Sequence, residues 1–171
     1  SYLAHVVSDL YALGFHEIRL TDLSFPVAED ANLIAYESGK DTSASKQAEL
    51  ETFLGELGKS IGESSDLTLS VVYTGAEGQN AQAFTNFFYR IYLPVAPVQN
   101  GHSIDGTPIR EFSSMLGEGN LPYRLVPIIS LKDRSAQDAY DLAFSVSTFG
   151  TGYHLEDLSG TYDEILFPKA E

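Results

Sequence analysis

Four carboxylates stand where strands give way to loops: Asp22 in "EIRLTDL", Glu77 in "YTGAEG", and the neighbours Glu156 and Asp157 in "GYHLED". Aspartate and glutamate in facing pairs can cleave an acetal without a cofactor, one as proton donor and the other as nucleophile or base. The chain carries 24 acidic residues, so most of them must simply be solvated. Position at a strand end singles out Asp22, Glu77 and Glu156 as catalytic candidates. Tyr73, Tyr92 and Tyr153 offer apolar faces on which a sugar ring could stack, although core or rim packing explains such rings equally well. His154 sits beside two acids, an arrangement that also suits an ordinary surface histidine. Arg19, three residues before Asp22, could hold a carboxylate ionised.

Other chemistries find less footing. With no cysteine in 171 residues, disulfides, thiolate catalysis and cysteine-bound metals are excluded. The four histidines, His5, His16, His102 and His154, are not paired at metal-ligand spacing. "GELGKS" ends like a phosphate loop, but Phe53 stands where its first glycine belongs and the segment closes a helix rather than following a strand. "GTG" at 150–152 lacks the third glycine of a dinucleotide fingerprint, and no G-x-S-x-G elbow occurs. A net charge of −14 repels nucleic-acid phosphates and anionic lipid. Neutral or cationic partners remain, saccharides among them.

The elements that would position these groups alternate. Leu3, Val6, Val7, Leu10 and Leu13 recur at helical spacing, and Gly14 is a natural stop before the strand read over 16–23. On that strand Ile18 and Leu20 share one side, and Glu17, Arg19 and Thr21 the other. A polar insertion over 27–44 reads as a loop with a helical turn. Leu50, Phe53, Leu54, Leu57 and Ile61 mark the next helix, followed by strands over 68–74, 91–96 and 124–130 with helices at "AQAFTNFFYR" and "PIREFSSML" between them. Ser135 and Asp138 form a capping-box pattern for a helix with a stripe of Ala139, Leu142, Ala143, Val146 and Phe149, and Gly150 suits its left-handed end. "GYHLED" and "YDEILFP" read as the last extended pieces. This rhythm predicts an α/β domain of parallel strands alternating with helices over 1–171, with working groups at the carboxyl ends of the strands.

"LGFHEIRLTDLSFP" resembles a segment of the bacterial DUF4015-type glycoside-hydrolase TIM barrels that reads roughly G-F-D-E-I-x-F-D-Y-I-R-F-P. "LTLSVVYTGAEGQNAQAF", "IYLPVAP", "YRLVPIIS" and "AYDLAFSVSTFGTGYHLED" follow in the same order as later units of that family. The resemblance implies the C-terminal part of a (β/α)8 barrel, with the remaining half upstream or in another chain. It also implies a glycoside hydrolase with no cofactor, acting on an oligosaccharide or polysaccharide. Asp22 would be nucleophile or base and Glu77 or Glu156 the proton donor, with Arg19, Tyr73, Tyr92, Tyr153 and His154 lining the sugar site. Aligned on Phe25-Pro26, however, the family's acid falls on Thr21 and its arginine on Ser24, "PIIS" replaces a Trp-Leu-Gln-like stretch, and the chain has no tryptophan. These departures point to the alternative of a catalytically degenerate glycan-binding or scaffold domain.

No apolar run of transmembrane length and no basic-then-apolar leader is present, so membrane insertion is not expected. A chain that opens on Ser1 and enters a helix at once reads as a cut from a longer one, with any secretion signal upstream. An extracellular or cell-surface location fits that reading, and a cytoplasmic one is equally compatible with the lack of cysteine.

Overall fold

The computed structural model describes residues 2–25, 43–61, 66–76, 78–98, 101–132 and 134–156. The expected "YDEILFP" strand, Glu77, Asp157 and all but the end of the polar insertion lie outside these residues. The chain forms two compact units, Ser1–Arg90 and Ile91–Glu171. Its fold is α/β, with strands alternating with helices and parallel in each described pair.

In the N-terminal unit, α1 (Tyr2–Ala12) buries Ala4 and Val7. Leu13, expected on the same stripe, is 76% exposed. The helix has already ended there: Gly14 adopts φ +96°, its N–H donates to the Tyr11 carbonyl, and the Phe15 N–H reaches back to the Leu10 carbonyl. This left-handed closure, open to glycine without steric cost, turns Leu13 away from the buried side. β1 (Glu17–Leu20) runs parallel to β2 (Thr68–Val72), with Ile18 opposite Leu69 and Leu20 opposite Val71. Ile18, Leu20 and Val71 are buried while Glu17 and Arg19 are exposed, the alternation read from sequence. α2 (Ser43–Ile61) buries Leu50, Leu54 and Leu57, and α3 (Ala81–Phe87) buries Phe84.

The C-terminal unit holds β3 (Arg90–Pro94, from its second residue), α4 (Thr107–Leu116), a short α5 (Leu121–Arg124), β4 (Leu125–Ser130), α6 (Ala136–Ser147) and β5 (His154–Glu156). β3, β4 and β5 pair in chain order. That sequential order, with no reversal inside the unit, belongs to a (β/α)8-type segment rather than to a doubly wound sheet at its switch point. Both crossovers run the same way, and right-handed connections then put α4 and α6 on one face. Ile91, Leu93, Leu125, Pro127 and Ile129 are buried on that face against Ile109, Phe112 and Leu116 of α4 and Leu142 and Val146 of α6.

Several boundaries shift, the second strand ending at Val72 and the third at Pro94 rather than at 74 and 96. Arg124, read as the first residue of the fourth strand, closes α5 instead, because Pro122 near that helix's start fits a first turn. The first strand stops at Leu20 rather than continuing to residue 23, because Asp22 takes φ +54°.

Thr151, between α6 and β5, is 7% exposed and its hydroxyl has no hydrogen-bond partner among the described residues. A buried orphan hydroxyl costs about 1–3 kcal/mol of desolvation. Thr151→Val keeps the shape and removes the orphan, so its urea midpoint is expected to match or exceed that of the wild type; a loss of stability would show that the hydroxyl has a partner in solution.

Candidate functional site

Strand alternation divides the C-terminal sheet into a helix-covered face and an opposite face. Tyr92 aligns with Val126, and Ile128 aligns with both Pro94 and His154. Tyr92, His154, Ser130 and Glu156 therefore share the face away from α4 and α6. The two rings lie on β3 and β5, with β4 between them, yet their centroids are only 6.1 Å apart at an interplanar angle of 88°. They lean together above β4, the tyrosine and imidazole meeting edge to face. Both are half-buried. One step nearer the carboxyl ends, Ser130 and Glu156 are in register and exposed. The structure thus brings together three residues singled out in the sequence, Tyr92, His154 and Glu156, and adds Ser130. Tyr153 immediately precedes β5 and is 45% exposed.

Such a surface can accept a polar ligand with an apolar side. The ring faces supply dispersion contact, the phenol and imidazole can donate or accept hydrogen bonds, and the Ser130 hydroxyl and Glu156 carboxylate can accept from ligand hydroxyls. Arg134 folds back onto this end of β4, its Nε donating to the Ser130 carbonyl at 3.1 Å.

The N-terminal unit positions the others differently. Asp22 lies just past β1, exposed, where the chain leaves the strand by a left-handed turn, and the Ser24 N–H donates to its carbonyl at 2.8 Å. Face alternation no longer applies to it, so its one-residue offset from the family pattern does not decide its direction. Arg19 projects from the exposed side of β1, in register with Ser70. Tyr73 is half-buried with its ring packed edge-on against Phe84 at 5.7 Å, so one edge is taken up by the core. The loop after it is closed by Gln79, whose Oε1 accepts from the Thr74 N–H and whose Nε2 donates to the Leu23 carbonyl, each at 3.0 Å. That side chain ties the loop after β2 to the loop after β1. A shallow groove between α2 and α3, lined by Leu54, Gly55, Ala83 and Phe87, belongs to the helical layer rather than to the strand ends.

One feature escaped the sequence reading altogether. After β3 the chain makes a small hairpin, with an antiparallel bridge between Pro97 and Ile104 and hydrogen bonds from the Val98 N–H to the Ser103 carbonyl (2.8 Å) and from the Asp105 N–H to the Ala96 carbonyl (2.9 Å). The Asn100-Gly101 pair between apolar residues was the available signal, and Gly101 has φ +76°. Among the described residues, no group of three or more histidines and acids could hold a metal ion, and no helix is long and apolar enough to cross a membrane.

Comparison with protein-family models, curated proteins and solved structures finds no match to this chain.

Proposed function

We propose that this chain is a carbohydrate-active domain of glycoside-hydrolase type, taking an oligosaccharide at the carboxyl ends of its strands. The observation that carries the reading is the convergence of Tyr92 and His154 above β4, with Ser130 and Glu156 on the same face. The alternation of parallel strands and helices, and the resemblance of "GFHEI…SFP" to the DUF4015-type barrels, support it further. Hydrolysis would use paired carboxylates and no cofactor, the candidates being Asp22 (nucleophile or base) and Glu77 (proton donor) in the N-terminal unit and Glu156 (proton donor) in the C-terminal unit.

A second reading, a glycan-binding domain without turnover, is favoured by one specific observation. Asp22 and Glu156 are both exposed, whereas a carboxyl group that keeps its proton at neutral pH is usually set in an apolar pocket.

Both readings require binding. A thermal-shift screen against neutral oligosaccharides is expected to raise Tm with at least one class, and Tyr92→Ala is expected to weaken that binding about tenfold through lost ring contact. No shift with any saccharide would sink both readings. Turnover that disappears in Asp22→Asn would assign hydrolysis, and binding without turnover would assign the second reading.

A further inference from the structure

The hairpin after β3 is fastened to α6 at two points. The Ile104 N–H donates to Ser145 Oγ at 3.3 Å, and His102 Nδ1 lies 3.1 Å from Asp141 Oδ2 and 3.5 Å from Asp138 Oδ1. His102 is more than half exposed, while each aspartate side chain is about a third exposed. Solvent protons therefore reach the imidazole freely, and both carboxylates stay close enough to respond to its charge.

We propose that residues 96–98 and 101–105 form a proton-sensitive strap, held against α6 when His102 is charged and released when it is neutral. The strap leaves the chain just beyond Pro94, which is level with Ile128 and His154, so its release loosens the flank of the Tyr92–His154 face. This holds whatever ligand that face takes.

The charged groups around His102 set the sign. Asp138 and Asp141 face it from α6. Asp138 lies below the usual carboxylate range, first because it accepts from the Ser135 hydroxyl and then from the Ser135 N–H, so it is anionic at both pH values tested below. Gln137 Nε2 donates to Asp141 Oδ1 at 2.8 Å and orients that carboxylate. Besides His102 itself, Arg134, ahead of α6, is a cation acting on Asp138. On the strap itself the next acid, Asp105, is turned onto Thr107, whose N–H it accepts at 2.9 Å. An imidazolium between two carboxylates is attracted to both, whereas a neutral imidazole keeps at most one hydrogen bond. The fastening is therefore strongest with the imidazole protonated, and it weakens as rising pH removes that proton.

Amide hydrogen exchange resolved by residue, corrected for intrinsic rates, tests this at pH 5.5 and 7.5. The Val98, Ile104 and Asp105 amides report the strap, and the Leu142 and Val146 amides of α6 serve as the internal reference. The opening constant of the wild-type strap is expected to be about fivefold larger at pH 7.5, the size of an exposed ion pair. His102→Gln is expected to bring that ratio close to one and Asp141→Asn to reduce it, both with α6 protection unchanged. A wild-type ratio near one, or the same ratio in His102→Gln, overturns the proposal.

Discussion

Phe84→Ala is expected to destabilise the N-terminal unit by about 3–5 kcal/mol, the range for truncating a fully buried aromatic ring. Phe84 is 1% exposed and is the hub of a ring cluster: Tyr73 packs on it at 5.7 Å and Phe88 at 5.5 Å, with Phe87 against Phe88 at 4.9 Å. α3 has only seven residues, far too few to be stable alone. Its Asn80 cap, whose Oδ1 accepts from the Ala83 N–H at 2.8 Å, contributes only about 1 kcal/mol. Burial of Phe84 therefore holds the helix to Tyr73, just past β2, and the vacated ring space cannot collapse without moving Tyr73 and Phe88. Urea unfolding followed by tyrosine fluorescence measures the loss. Phe84→Leu is expected to recover more than half of it, and a Phe84→Ala cost below about 1 kcal/mol would mean that the cluster repacks freely.

Gly106→Ala is expected to cost about 1–3 kcal/mol through overpacking. Gly106 caps α4 with φ −81°, a conformation open to alanine, so the backbone gives no reason for glycine here. The reason is the ring of Phe149: a Cβ at Gly106 would come within 2.7 Å of Cε1 and closer still to Cζ. The Arg110 guanidinium stands 5.5 Å from the centroid of that ring, so turning the ring aside gives up that contact. A double-mutant cycle separates the steric effect from any change in α4 itself. In a Phe149→Leu background the same Gly106→Ala change should cost close to nothing, giving a coupling energy of about 1–3 kcal/mol. Simple additivity would show that Phe149 is not the obstacle.

Legibility in the sequence tracked how local the cause was. The capping box of α6 was readable because its donor and acceptor lie three residues apart, and the structure has both halves: Ser135 Oγ accepts from the Asp138 N–H, and Asp138 Oδ2 accepts from the Ser135 N–H. The alternating burial of β1 was readable for the same reason, since alternation is a property of the strand alone. Leu13 was misread because a single left-handed glycine ends the periodicity one residue early. The hairpin after β3 was missed because glycine, serine and asparagine look alike in any loop, and its bridge depends on residues seven apart.

Helices, strands, their alternation and the α/β class followed from the amino-acid order, because periodicity, caps and turn residues act within a few positions. The meeting of Tyr92 with His154 could not follow from it. Those residues belong to strands separated by a whole β4 unit, and only the register of β3, β4 and β5 puts them on one face and close enough to touch. The same is true of His102 with Asp138 and Asp141, where a loop and a helix come together through packing that leaves no trace in local spacing.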